Sequence, residues 1–329
     1  MSLKLNLVKL REPEKYNREF NLDCFSDVIG QAASISQICF YGEKYVNNGI
    51  FPTLLLKGSH GLGKTYISEK ISKALGRKFI VINCGVLTSV EDFIENILID
   101  KVCGSEKVTL LFDESHELNK DIGTFLLSLL SPNNDGYTYV EYKNLLIKYN
   151  FHDINSIFAT TDTYKMLLPL VNRCRVINLE LYKEEELYNI LLNYTGGIRI
   201  DKRIKKSIID ACRGRARDAY LLSDDLKHAC KDNYLSLEDW ERYKEIFNIN
   251  ELGLNVMELE YLNILNHHER MSSVNIGKKL GLNRRNIEEE IEVRLMELSL
   301  VESSSRGRVL TEKGKRYCEK NIEEIVDIL

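Results

Sequence analysis

The chain has no CxxC pair, no run of eighteen uncharged residues, no surplus of positive charge, and no internal repeat or low-complexity tract. Each absence excludes something. Its eight cysteines, at positions 24, 39, 84, 103, 174, 212, 230 and 318, stand without histidines at zinc-ligand spacing, which removes a zinc module. Buried thiols in a reducing cytoplasm are the expectation. Lacking a long apolar run, the chain is not expected to span or bind a membrane. Met1 to Leu10 alternates lysine with apolar residues and carries no small-residue cleavage site, so no export signal is read. A net charge of −4 argues against coating nucleic acid by bulk electrostatics and leaves room only for a local basic patch. What remains is an ordinary globular composition, 329 residues with 44% hydrophobic content, enough for two or three domains.

The most informative segment is Leu54-Leu55-Leu56-Lys57-Gly58-Ser59-His60-Gly61-Leu62-Gly63-Lys64-Thr65. An apolar strand runs into a glycine-rich loop, and a helical pattern from Ile67 to Leu75 follows it. Gly58, Gly61 and Gly63 let backbone N–H groups curl around a triphosphate, Lys64 reaches its β and γ oxygens, and Thr65 offers a hydroxyl to Mg²⁺. This predicts an ATP site.

From Phe51 to about Leu181, short apolar runs alternate with helical patterns, the signature of a parallel sheet with crossover helices. Strands are expected at 53–56, 79–83, 108–113, 156–160 and 175–179, giving an α/β P-loop domain over residues 1–181. Over 182–250 the strand signals vanish and four helical patterns form an all-α domain. Asn248 to Gly253 reads as a linker. Over 251–329, three helices and a polar turn, Ser303 to Arg308, between two short strands predict a winged helix.

Leu110-Leu111-Phe112-Asp113-Glu114 supplies the second half of an ATPase site about fifty residues after the phosphate loop. Asp113 is placed to hold Mg²⁺ and Glu114 to orient the attacking water. Thr160-Thr161 ends the next strand with hydroxyls, and Thr161 is the candidate contact for the γ-phosphate or the lytic water. Arg173 precedes the fifth strand, away from its own phosphate loop, where it could reach a neighbouring subunit's γ-phosphate, which requires an oligomer. Gly214-Arg215-Ala216-Arg217 opens a helix with positive charge, a poor match to the helix dipole that points to a phosphate partner for Arg217.

In the winged helix, the third helix carries Arg284 and Arg285 but then Glu288, Glu289, Glu290 and Glu292, which would repel phosphates near a groove. The wing and its sequel carry Arg306, Arg308, Lys313, Lys315, Arg316 and Lys320. Contacts to phosphates or a minor groove through Arg306 and Arg308 are therefore expected, rather than base reading.

In this order and spacing, the motifs resemble the RuvB branch-migration motors of the AAA+ class along nearly the whole chain. Phe25-Ser26-Asp27-Val28-Ile29-Gly30-Gln31 resembles the family's opening motif near the adenine pocket, Gly58 to Thr65 with Leu62 its Walker A loop, and Phe112 to Asn119 its Walker B segment. Ala159-Thr160-Thr161 matches the family's sensor 1 segment, Arg173 twelve residues beyond Thr161 its arginine finger, and Gly214 with Arg217 its sensor 2. Tyr182 matches the tyrosine that lines the base. The resemblance thus implies nucleotide contacts at Ile29, Gly30, Leu62, Tyr182 and Arg217.

It also has departures. Asn21-Leu22 replaces an Arg-Pro pair, Ser59-His60 a Pro-Pro pair, and Cys174 a phenylalanine. Asn172-Arg173-Cys174 leans toward the Ser-Arg-Cys motif of clamp-loader ATPases. Residues 137–150 could form the hairpin with which the family grips its junction-binding partner RuvA, and a plain sheet-edge hairpin with aromatic faces fits them equally. The expected activity is Mg·ATP hydrolysis by a hexameric ring on duplex or junction DNA, driving Holliday junction branch migration. Two rivals remain at this point: a loader- or origin-binding ATPase that uses ATP as an assembly switch, and a nucleotide-gated transcription factor.

Overall fold

The computed structural model describes residues 6–9, 19–102, 107–131, 136–143, 145–150, 153–230 and 232–320. Cys103 and Asn144, both within the expectations above, lie outside the described residues. The chain divides into two compact units, one running through Glu186 and including Arg215–Arg217, the other formed by Leu187–Gly214 and the residues from Asp218 onward.

In the first unit, β1 (Asn6–Lys9) and α1 (Ala32–Asn48) precede β2 (Leu54–Lys57), α2 (Lys64–Ala74) and β3 (Lys78–Asn83). A short helix, α3 (Val90–Phe93), runs on as a π-helical stretch (Ile94–Val102); β4 (Val108–Asp113) and α4 (Lys120–Leu129) come next in the described chain. Then come β5 (Tyr137–Tyr142), β6 (Leu145–Asn150), β7 (Ile154–Thr160), α5 (Leu168–Val171) and β8 (Arg175–Asn178). The main sheet is five-stranded in the order β3-β4-β7-β2-β8, with parallel pairing throughout. The order explains the composition: β2 is flanked on both sides, and Leu54, Leu55 and Leu56 are each fully buried, as a central parallel strand requires. The predicted strands coincide with the observed ones to within two residues.

One face of the sheet packs a core in which Phe112 stacks on Phe158 at 4.7 Å and on Phe93 at 6.0 Å. Side-chain caps start the helices there. Ser89 accepts the Asp92 N–H before α3, and Asn119 accepts the Ile122 N–H before α4.

β5 and β6 form an antiparallel hairpin in which Tyr142 faces Leu145 and Val140 faces Ile147. Val140 and Ile147 are buried in the sheet's core cluster, while Lys148 sits 3.9 Å from the Tyr137 ring centroid. The hairpin's end is tied to the π-helical stretch by Glu95, which accepts from Tyr142 Oη at 2.6 Å and Lys143 Nζ at 2.7 Å. β1 adds to β6 in parallel, so this hairpin belongs to a separate three-stranded sheet.

The second unit contains α6 (Glu184–Thr195) from Leu187 onward, β9 (Arg199–Ile200), α7 (Lys205–Ala211), α8 (Ala216–Ala229) from Asp218 onward, β10 (Tyr234–Leu235) and α9 (Leu237–Phe247). Trp240 is its buried anchor, with Nε1 donating to Ser207 Oγ at 3.0 Å. The winged helix follows: α10 (Val256–Asn266), α11 (Ser273–Leu280), a third helix of α12 (Arg284–Asn286), a π turn (Ile287–Ile291) and α13 (Glu292–Glu297), then β11 (Val301–Ser304), β12 (Gly307–Leu310) and α14 (Glu312–Lys320). Asn255 and Glu258 form a capping box that starts α10.

The stretch from Asn248 to Gly253, read as a linker, is densely bonded. Asn250 Oδ1 accepts from Leu252 and Leu254, and the Arg213 guanidinium makes a two-pronged pair with the buried Glu258 at 3.1 and 3.0 Å while also donating to Gly253 O. Arg294 donates to Asp210 O and Leu252 O. The helices before and the winged helix after this stretch therefore share one set of hydrogen bonds.

Candidate nucleotide site and wing

The phosphate loop joins β2 to α2, with Gly61 at φ +77° and Gly63 at φ +89°, conformations that glycine adopts without strain. Lys64 opens α2 and folds back over the loop, its Nζ donating to Gly58 O at 2.9 Å and Ser59 O at 3.0 Å. Burial pushes the Lys64 pKa down, and the carboxylates of Glu114 and Asp113 oppose that shift. Thr65 Oγ1 donates to Asp113 Oδ2 at 3.3 Å, so the hydroxyl and carboxylate expected to share a cation do meet. Among the described residues no three His, Cys, Asp or Glu side chains form a metal cage. The meeting of Thr65 and Asp113 would let them hold a Mg²⁺ ion together with phosphate oxygens and water, which is how this ion is usually bound.

Asp113 ends β4 and its Oδ1 accepts the Glu114 N–H at 3.1 Å. Glu114 itself lies at φ +50°, and its carboxylate is flanked by His60 Nδ1 at 3.5 Å and His116 Nδ1 at 3.4 Å. Thr160, fully buried at the end of β7, places its hydroxyl 3.1 Å from His116 Nδ1. Thr161, the residue expected at the γ-phosphate, is the next one along and half-buried. Thr160 stands with Thr161 among the hydroxyls expected at this strand end, whereas neither histidine draws a role from the sequence, where His60 stands out only by its position inside the phosphate loop.

Gly61 is also where the segment Arg215–Arg217 arrives. Arg217 N–H donates to Gly61 O at 3.1 Å, and a Cβ placed on Gly61 would meet the Arg217 Cβ at 3.2 Å and the Arg215 Cβ at 3.3 Å. Two arginines thereby flank the loop, and the Arg217 charge contributes to the lowered Lys64 pKa.

Gly30, Gln31, Leu62 and Tyr182, which with Ile29 are expected to contact the nucleotide, are joined to one another and to Glu180 by direct contacts, none of which involves Ile29. Gln31 Nε2 donates to Glu180 O at 2.6 Å and its Oε1 accepts the Glu180 N–H at 3.1 Å, while Tyr182 Oη donates to Leu62 O at 3.2 Å. Burial pushes the Tyr182 phenol up to about 12. Gly30 sits at φ +71° under that ring, and a Cβ there would come within 2.8 Å of two ring carbons. Gly30→Ala therefore combines backbone strain with a clash and is expected to cost roughly 2–3 kcal/mol. Thermal melting checks this; an unchanged melting temperature would remove the packing argument.

Arg173 is exposed, precedes β8, and donates through its guanidinium to Leu127 O. β8 runs parallel to β2 with Arg175 beside Leu54, so Arg173 lies at the end of the sheet opposite the phosphate loop, with roughly 10 Å of strand between. The structure does not bring it to its own subunit's site.

In the wing, the two arginines expected to meet phosphates differ in their surroundings. Arg308, expected to contact DNA phosphates, is turned inward: Nε donates to Glu292 at 2.9 Å, Nη2 to Glu288 at 3.2 Å and Nη1 to Ser303 at 3.2 Å. Glu292 also accepts from Tyr261 Oη at 2.8 Å, and Glu288 from Ser273 and Arg284. The same pairs answer the puzzle of the acidic third helix, because two of its acids neutralise the protein's own arginines. Arg306, at the turn of the wing, and Arg316 remain exposed.

Four of the described cysteines, Cys84, Cys174, Cys212 and Cys318, are buried free thiols, and no described helix is long and apolar enough to cross a membrane.

Comparison with known proteins adds to this geometry. Residues 54–181 match the ATPase family associated with various cellular activities (AAA), and residues 251–319 match the RuvB C-terminal winged helix domain. The chain is 26% identical over 332 residues to the Holliday junction branch migration complex subunit RuvB of Prochlorococcus marinus (strain MIT 9515), covering 96% of this chain and 93% of that protein. It is 28% identical over 309 residues to the subunit of the same name from Wolbachia sp. subsp. Brugia malayi (strain TRS), covering 88% and 91%. The solved structure of the Thermotoga maritima RuvB Holliday junction branch migration motor is similar with a TM-score of 0.76 at 22% identity, over 89% of this chain and 96% of that one.

Proposed function

This chain is a RuvB-like AAA+ protein and an ATP-hydrolysing enzyme, and from that premise we propose that it works as a branch-migration motor on Holliday junctions in recombination and repair. The observation that carries the reading is the union in one chain of the Lys64, Thr65–Asp113 and Glu114 cluster with a winged helix of the RuvB type. In this reading the chain acts in the cytoplasm as a hexameric ring around duplex DNA, and a RuvA-like junction-binding protein docks on the 137–150 hairpin.

Lys64 and the loop N–H groups hold the β and γ phosphates, and Arg217 binds them from the side. When bound, Mg²⁺ neutralises charge that builds on the phosphate oxygens. Glu114 takes the proton from the water that attacks the γ-phosphorus as the bond to ADP breaks. Thr161 contacts the γ-phosphate side of the pocket. Arg173, remote from its own loop, completes the neighbouring subunit's site.

A purified-protein ATPase assay with and without duplex or four-way-junction DNA, at several salt concentrations, tests the proposal. DNA should stimulate turnover, and the stimulation should weaken as salt rises, because phosphate contacts release counterions. Arg306→Ala should weaken DNA binding equally across sequences and reduce the slope of log affinity against log salt by about 1. The loader-type reading has one feature in its favour, the Asn172-Arg173-Cys174 sequence, and it predicts slow turnover that DNA leaves unchanged.

A further inference from the structure

Glu114 is held from two directions by imidazoles that come from different parts of the chain. His116 belongs to its own segment and is nearly buried, its Nε2 3.3 Å from Glu117 Oε1, its Nδ1 hydrogen-bonded to the Thr160 hydroxyl at 3.1 Å and lying 3.4 Å from Glu114 Oε2. His60 comes from the crown of the phosphate loop, with a side chain 54% exposed, and faces the other carboxylate oxygen, Oε1, at 3.5 Å. Glu114 also lies at φ +50°, a conformation that a non-glycine residue keeps only where its surroundings determine it. Lys64, on the same loop, adds an attractive charge to this carboxylate.

We propose that His60 is a positioning residue for Glu114: the phosphate loop itself sets the direction of the carboxylate that takes the proton from water. The proposal rests on Glu114 being the base. Its physical basis is that a general base acts only within hydrogen-bond reach of the proton, and that an error of about 1 Å in placing a reacting group can cost on the order of 10²-fold in rate. His116, 3.4 Å from Oε2, and His60, 3.5 Å from Oε1, bracket the carboxylate on its two sides, and the His60 side is the one that limits its swing toward the phosphate loop. The proline that the resembling family carries at this point of the loop has no side-chain donor or acceptor, its single nitrogen being locked in the peptide bond, so it cannot make this contact.

The test compares His60→Ala and His60→Asn with the wild-type protein by steady-state ATPase kinetics and by equilibrium binding of a fluorescent ATP analogue. His60→Ala is expected to lower kcat by about tenfold, with KM and analogue affinity within about twofold. His60→Asn, whose amide nitrogen occupies the place of Nδ1, is expected to recover most of that loss. The proposal is overturned if kcat is unchanged in His60→Ala, if the loss falls on KM and analogue affinity, which would make His60 a nucleotide contact, or if the asparagine variant is no better than the alanine. Glu114→Gln, run alongside, separates the two layers. Wild-type turnover in Glu114→Gln would remove the base assignment itself, whereas a dead Glu114→Gln beside a fully active His60→Ala would remove only the role of His60.

Discussion

Glu114→Gln is expected to abolish turnover while ATP still binds, with kcat falling roughly 10²–10⁴-fold. The substitution keeps the size of the side chain and leaves the Thr65–Asp113 pair and the Lys64 contacts to Gly58 and Ser59 untouched. What it removes is the ability to accept a proton from water. Analogue affinity should therefore stay within about twofold, because the groups that hold the phosphates are unchanged. Wild-type hydrolysis by the purified variant would reassign the base; loss of analogue binding would mean that Glu114 shapes the pocket rather than acting in it.

Arg173→Ala is expected to lower hydrolysis by roughly 10³-fold or more, the scale of an arginine acting on transition-state charge from a neighbouring subunit. The topology makes the effect specific. Arg173 precedes β8 at the opposite end of the sheet from the loop that follows β2, so its loss leaves its own subunit's phosphate contacts in place. Mixing provides a sharper readout than the single variant. A site formed by the loop of an Arg173→Ala subunit and the arginine of a Glu114→Gln subunit is complete, so in the proposed assembly two inactive proteins mixed in equal amounts should regain activity at roughly one quarter of the subunit interfaces. Additive inactivity in the mixture would place Arg173 outside any shared site.

The parts of this structure legible in the sequence were those set by local pattern. β4 occupies Val108–Asp113 as read, because an apolar run ending in two acids leaves little choice of register. The winged helix was legible because three helical patterns precede a polar turn, Ser303 to Arg308, set between two short strands that the structure places at Val301–Ser304 and Gly307–Leu310. Long-range pairings were not. Counting charge along the wing could not distinguish Arg306, which faces solvent, from Arg308, which is spent on Glu288 and Glu292 of the third helix. The linker reading of 248–253 failed to foresee the Arg213–Glu258 pair for the same reason, since its partners are 45 positions apart. Contacts between His60 and Glu114 likewise depend on β2 and β4 lying in one sheet with β7 between them, a placement that only the strand order reveals.

A synthetic four-way junction with labelled arms, incubated with the purified chain alone and with a junction-binding partner, measures most directly whether ATP hydrolysis is coupled to moving DNA. Conversion of the junction to duplex products should require hydrolysable ATP, stop with Glu114→Gln, and return in the mixture of Glu114→Gln with Arg173→Ala. A junction that stays intact under both conditions while ATP is consumed at a DNA-stimulated rate would contradict the motor and point to a switch instead.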